Sequence, residues 1–149
     1  YKYWLMSISR LIIVAAKKGE IDRMENLKGQ LDECLQEAKN PDKNAEGVAY
    51  LGLAEMAFLQ NSAAKIPLIV DLLKKGIPNV VLYGSWARRD IVKRLGVIEE
   101  DFYKIDHDII KAVGQQMINF IFEKEEEGIN YSTVLEIMVK WADWKRGKK

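Results

Sequence analysis

The sequence contains very little of what metal and nucleophile sites usually need. Cys34 is the single cysteine and His107 the single histidine among 149 residues. A lone cysteine cannot form an intramolecular disulfide, which favours a reducing, cytoplasmic compartment and a buried structural thiol at Cys34. Zinc sites built from cysteine and histidine need about four ligands, so this kind of site is excluded. We therefore expect no cofactor, and no catalytic constellation is evident.

The sequence also has few prolines, no long uninterrupted apolar run and a net charge close to zero. Residues 5–16 are apolar, but Ser7, Ser9 and Arg10 interrupt them, and they fall short of the ~20 apolar residues that span a membrane. We therefore expect no membrane partner. The 23 basic residues nearly balance the 22 acidic ones. The total charge consequently predicts no general attraction to nucleic acid or to a lipid surface.

Amphipathic helical periodicity fills the chain from end to end. Apolar residues recur three and four positions apart, as in the series Met24, Leu27, Leu31. The pattern predicts an all-α fold, a single compact bundle of about six or seven helices in one domain that covers residues 1–149. The predicted helices cover about residues 3–18, 20–39, 43–60, 61–75 and 98–126, and a last helix begins with a capping box of Thr133 and Glu136.

The segment at residues 79–83 is compatible with either a strand or a helix. Its β-branched and aromatic residues, Val80, Val81 and Tyr83 among them, are typical of a strand. The neighbouring segments are all helical, which favours a helix here. The sequence leaves both possibilities open.

The most specific string of the sequence is Val-Leu-Tyr-Gly-Ser-Trp-Ala-Arg at residues 81–88. It resembles the Gly-Ser motif of minimal nucleotidyltransferases, in which a strand ends in a turn that holds nucleotide phosphates. The resemblance implies a turn at Gly84 and Ser85 and metal ions held by Asp106 and Asp108. The alternative is a helix with Gly84 and Ser85 at a close helix contact, beside an exposed acidic pair.

Residues 88–105 can also be laid on a helix-turn-helix with its turn at Gly96. The second helix would carry the acidic run Glu99, Glu100 and Asp101, which DNA phosphates would repel. The spacing therefore keeps a helix-turn-helix regulator as an alternative, although the acidic surface of its second helix disfavours DNA binding.

Basic residues lie beside aromatic residues in two places in the sequence. Such interleaving suits a nucleic-acid backbone, because cations bind phosphates and aromatic rings stack on bases. The alternative is a solvated helix face with a basic tail. The predicted contacts to RNA or single-stranded DNA are Arg88, Arg89, Lys93, Arg94, Lys140, Lys145 and Arg146, and the predicted interface residues are Trp86, Trp141 and Trp144.

The small size, the helicity, the richness in lysine and glutamate and the basic–aromatic clusters resemble the helical small subunits of CRISPR effector complexes. The resemblance is one of size and composition over the whole chain. It implies a non-catalytic subunit of an antiviral assembly, with other protein subunits or copies of itself as partners and a nucleic-acid backbone contacted without sequence specificity. Acidic blocks at residues 99–101 and 123–127, separate from the basic clusters, also suit head-to-tail packing of copies.

Overall fold

The fold is all-α, as the periodicity predicts. A computed structural model describes residues 2–37, 42–80, 95–124 and 129–147 of the chain. Within these ranges the regular structure consists of helices, with no strand. No helix in the same ranges is both long and apolar enough to cross a membrane.

Backbone contacts divide the chain into two units, Tyr1–Val80 and Val81–Lys149. We call them unit 1 and unit 2 and describe each by itself. The prediction of a single domain over residues 1–149 stays a prediction.

In the described residues, unit 1 contains four α-helices and two single turns of 3₁₀-helix. Gly19 ends the first helix with a φ of +72°, a left-handed conformation that glycine adopts without steric cost. The third helix begins at the N-cap Asp42, whose Oδ1 accepts a hydrogen bond from the Ala45 amide at 2.9 Å. The elements are α1 (Lys2–Lys18), α2 (Ile21–Glu37), α3 (Lys43–Leu59), a 3₁₀ turn (Ala63–Lys65), α4 (Ile66–Gly76) and a second 3₁₀ turn (Ile77–Asn79).

Helix α3 packs against both α1 and α4 and is buried on most of its surface. Small residues permit this close packing. A Cβ added at Gly52 would lie 2.9 Å from the Cβ of Ser9 on α1. Ser9 is itself buried, and its hydroxyl donates to the Leu5 carbonyl at 2.7 Å, so the α1–α3 contact buries no unsatisfied hydroxyl. The large side chains that complete the core of unit 1 include Leu5, Ile12, Met24, Leu31, Phe58, Ile69 and Leu73.

Unit 2 contains three α-helices in the described ranges. Helix α5 is described over residues 95–103, α6 covers Asp108–Glu123 and α7 covers Ile129–Lys145. The edge of the Phe102 ring on α5 lies over Gly114 on α6, where an added Cβ would be 2.7 Å from Phe102 Cε1 and 3.3 Å from Met138 Cγ on α7. Gly114 is thus the point at which all three helices approach each other.

Three local predictions for unit 2 are wrong. The predicted helix at residues 98–126 is interrupted at residues 104–107, where the chain turns between α5 and α6. The predicted turn at Gly96 is helical instead. Thr133 and Glu136 form no capping box, because α7 already begins at Ile129 and Thr133 is buried within it.

The ambiguous segment at residues 79–83 is described only at its start. Asn79 is the last residue of the second 3₁₀ turn, and Val80 has extended backbone angles. Residues 81–83 lie outside the described part, so the choice between helix and strand stays open there.

Candidate nucleic-acid interface

The C-terminal end of α7 brings cations and a tryptophan together. Lys140 Nζ lies 5.1 Å from the centroid of the Trp144 ring, a cation–π distance, because residues four apart share a helix face. Lys140 is exposed and Trp144 is half-buried. Lys145 and Arg146 follow directly and are exposed. We call the set Lys140, Trp144, Lys145 and Arg146 the basic end of α7.

Two local effects also explain part of this arrangement. Arg146 forms an ion pair with Asp143 within the same turn. Lys145 lies in the last turn of α7, where the negative end of the helix dipole favours a cation. These contacts leave the three cations exposed to solvent. The basic end therefore combines positive charge with an aromatic surface, the combination that single-stranded nucleic acid binds.

Trp141, predicted as an interface residue, has no exposed surface. It follows the buried residues Val134 and Met138 at helical spacing, which places it on the packed side of α7. Its side chain is therefore not accessible to a partner in this structure. Trp86 and the first basic cluster, which comprises Arg88, Arg89, Lys93 and Arg94, lie outside the described residues, and their roles stay predictions.

Asp106 and Asp108, the metal pair of the nucleotidyltransferase alternative, are exposed at the start of α6. Between them, His107 is the N-cap of α6, and its Nδ1 accepts a hydrogen bond from the Ile110 amide at 3.4 Å. Asp108 stands in the first turn, where the helix dipole favours an acidic residue. The acidic pair is therefore explained as the beginning of a helix.

The nucleotidyltransferase alternative also predicts a strand near residues 105–110, but residues 105–107 are irregular and α6 follows. Within the described ranges, no group of three or more histidine, cysteine, aspartate or glutamate side chains could hold a metal ion. Gly84 and Ser85 lie outside those ranges.

An aromatic and acidic surface lies where α5, the end of α6 and the start of α7 meet. The Tyr131 hydroxyl donates to Glu99 Oε2 at 3.0 Å, and the Tyr131 ring lies 5.6 Å from the Phe122 ring, with the two planes tilted by 31°. Tyr103 is 68% exposed and Phe122 is 61% exposed. We call the set Glu99, Tyr103, Phe122, Glu123 and Tyr131 the acidic–aromatic end.

The environment of Tyr131 changes its acidity. Burial raises the pKa of Tyr131, and its hydrogen bonds with Glu99 and Tyr103 raise it further. The hydroxyl is therefore a donor at all physiological pH values, and it holds the Glu99 carboxylate in place. The acidic blocks are visible in the sequence, but the aromatic residues beside them come from three separate helices.

Cys34 is half-buried rather than fully buried, so the prediction of a buried thiol is wrong in degree. It lines an open groove of about 430 Å³ in unit 1 together with Trp4, Gln30, Glu33 and Glu37.

A scan against protein-family models and searches of curated proteins and of solved structures found no match to this chain. Its function must therefore be inferred from its own residues.

Proposed function

We propose that this protein is a non-catalytic helical subunit of a larger assembly and that it contacts a nucleic-acid backbone without reading its sequence. The observation that supports this proposal is the basic end of α7, where exposed Lys140 lies over Trp144 and exposed Lys145 and Arg146 follow. Lysine and arginine bind phosphate whatever the base, and an aromatic ring stacks on any base. Contacts of both kinds give affinity without specificity.

The first basic cluster extends the proposed surface. Arg88, Arg89, Lys93 and Arg94 place four cations within seven positions of the sequence, beside Trp86. By size and composition the proposed class is that of the CRISPR small subunits, acting in the cytoplasm. The proposed partners are RNA or single-stranded DNA and other protein subunits or copies of this chain.

The test is fluorescence anisotropy with labelled single strands of unrelated sequences, as RNA and as DNA, over a range of salt concentrations. We expect similar affinities for all sequences and an affinity that falls steeply with salt. For single strands, the logarithm of the affinity changes by about 0.7 per phosphate contact for each tenfold change in salt. The triple variant Lys140→Glu, Lys145→Glu, Arg146→Glu should therefore lower that slope by about 2.

The variant Lys18→Glu is the matched control, because Lys18 is an exposed cation in the last turn of α1, outside the basic end and the first basic cluster. It should bind as the wild type does. A second variant reverses the charges of Arg88, Arg89, Lys93 and Arg94, and it should abolish salt-sensitive binding while circular dichroism still shows the helical fold. Binding that is unchanged in both multiple variants would refute the proposal.

A further inference from the structure

The acidic–aromatic end and the basic end of α7 carry opposite charge and lie at the two ends of the same helix. Tyr131 is in the first turn of α7, and Lys145 is its last residue. At 1.5 Å per residue, the 14 residue steps from Tyr131 to Lys145 separate the two positions by about 21 Å. A straight helix therefore keeps the basic end from reaching the acidic–aromatic end of its own copy.

The acidic–aromatic end has the properties of a docking surface. Tyr103 and Phe122 expose 68% and 61% of their surfaces, although aromatic side chains of this size are normally well covered. Two acidic residues accompany them: Glu99 accepts a hydrogen bond from the Tyr131 hydroxyl, and exposed Glu123 follows Phe122 in the sequence. Aromatic faces and carboxylates together attract cations.

The basic end has the complementary chemistry. It presents three exposed cations and the partly exposed ring of Trp144. Arginine and tryptophan are among the residues that most often carry the binding energy of protein interfaces. The helix dipole of α7 accounts for a cation at its last turn, but it does not account for exposed aromatic rings at the opposite end.

We propose that the basic end of one copy docks on the acidic–aromatic end of a second copy, and that nucleic acid competes with this contact for the same cations. The contact joins two different surfaces, so it is heterologous and joins copies head to tail. The inference rests on the proposed function, since it names a second copy as the protein partner and gives the basic end two alternative ligands.

The first measurement is sedimentation velocity of the full chain over a range of concentrations. At low ionic strength the average mass should rise with concentration above the 17.1 kDa of one chain. At about 1 M salt, where charges are screened within about 3 Å, it should return towards one chain. A mass that stays at one chain at every concentration and at low ionic strength would refute the inference.

Two complementary variants test the head-to-tail geometry. Variant A carries Lys140→Glu and Lys145→Glu, which reverses two of the three cations of the basic end and keeps the acidic–aromatic end. Variant B carries Phe122→Ala and Glu123→Lys at two exposed positions, which alters the acidic–aromatic end and keeps the basic end. Each variant alone should be monomeric. An equimolar mixture should form a dimer that grows no further, because each copy then has one intact end.

Lys18→Glu and Leu68→Ala are the matched controls, since they change an exposed cation and an exposed apolar side chain of unit 1. Both should associate as the wild type does. Circular dichroism checks that variants A and B keep their helices. A mixture of folded A and B that stays monomeric contradicts the inference, and so does association of either variant alone at the wild-type strength.

The anisotropy experiment separates this inference from the proposed function. Variant B should bind single-stranded nucleic acid as the wild type does, whereas variant A should lose most of that binding. A short single strand added to the wild type should lower its average mass, because phosphates occupy the basic end.

The outcomes separate the two proposals. If neither the wild type nor a variant binds nucleic acid but A and B still form a dimer, the nucleic-acid function is refuted and the docking surface is supported. If the strand leaves the average mass unchanged while it binds, the competition is refuted.

Discussion

Gly47 on α3 and Gly76 at the end of α4 approach each other so closely that neither position has room for a side chain. A Cβ added at Gly47 would lie 2.9 Å from the Gly76 carbonyl oxygen, and one added at Gly76 would lie 3.0 Å from the Gly47 carbonyl oxygen. The obstacle on both sides is backbone, which cannot rotate away as a flexible side chain could. The contact between α3 and α4 therefore depends on glycine at both positions.

Alanine at Gly47 should destabilise the protein. The forced separation of the two backbones costs about 1–3 kcal/mol, and the better helix propensity of alanine returns about 1 kcal/mol of it. We expect Gly47→Ala to lower the free energy of unfolding by up to about 2 kcal/mol in urea denaturation followed by circular dichroism. Gly29→Ala is the control, because nothing lies within 4 Å of its added Cβ in α2. Gly29→Ala should raise the free energy of unfolding by about 0.5–1 kcal/mol. Equal changes at Gly47 and Gly29 would show that the close backbone contact at Gly47 does not matter for stability.

Alanine at Gly114 should be tolerated better when the Phe102 ring is made smaller. The added Cβ meets Phe102 Cε1 at 2.7 Å, an overlap that costs about 1–3 kcal/mol, of which the better helix propensity of alanine returns about 1 kcal/mol. In the double variant with Phe102→Leu, the loss should be smaller than the sum of the two single losses by about 1 kcal/mol. Gly96→Ala with Phe102→Leu should be additive, since Gly96 has open space around it. Additivity in both pairs would show that Gly114 and Phe102 are not coupled.

Alkaline pH should destabilise the protein through Tyr131. Its pKa is raised in the folded chain above the unfolded value of about 10. Above that pH the unfolded chain loses the phenolic proton while the folded chain keeps it, so the free energy of unfolding falls as pH rises. In Tyr131→Phe this decline should be shallower, and at neutral pH the variant should be less stable by about 1 kcal/mol for the lost bond to Glu99. Urea titrations at several pH values measure both effects, and identical alkaline slopes would count against this assignment.

Removal of the Trp144 ring should lower the affinity for single-stranded nucleic acid. Stacking of one base on an aromatic ring contributes about 1–3 kcal/mol, so Trp144→Ala should raise the Kd for single-stranded RNA about tenfold. Trp144→Phe keeps an aromatic face and should retain most of the affinity. Trp4→Ala, at a partly exposed tryptophan of unit 1, should leave the Kd unchanged. Equal losses in Trp144→Ala and Trp4→Ala would show that stacking at Trp144 is not involved.

The helices of unit 1 were predictable because their signals are local. Gly19 and Asp42 mark helix ends by their own backbone preferences and by a hydrogen bond to a residue three positions away. Pro67 lies in the first turn of α4, where its missing amide costs nothing. Such signals need no knowledge of the tertiary structure.

The break between α5 and α6 was not predictable in the same way. Periodicity runs on through residues 98–126, and the N-cap at His107 is a weaker signal than an aspartate or serine would be. The packing of Phe102 on Gly114 requires the two helices to lie side by side, and that contact is not local. The Thr133–Glu136 spacing was a misleading local signal, because burial of Thr133 inside α7 overrides it.

The candidate site also contains both local contacts, which the sequence predicts, and long-range contacts, which it does not. Lys140 and Trp144 are four positions apart, so helical geometry alone brings them together. Tyr131 and Glu99 are 32 positions apart, and no pattern in the sequence indicates that they form a hydrogen bond. The acidic–aromatic end therefore became visible only in the folded structure.

The close contacts of α3 restrict how the helix can turn about its own axis. Gly52 faces Ser9 of α1, and Gly47 faces Gly76 at the end of α4. With 100° between successive residues of an α-helix, positions 47 and 52 point in directions about 140° apart. A rotation of α3 by 100° in either direction would replace both glycines at these contacts by residues that carry a Cβ. The two pairs of small residues therefore set the angular position of α3, and with it the side chains that each of its neighbours meets.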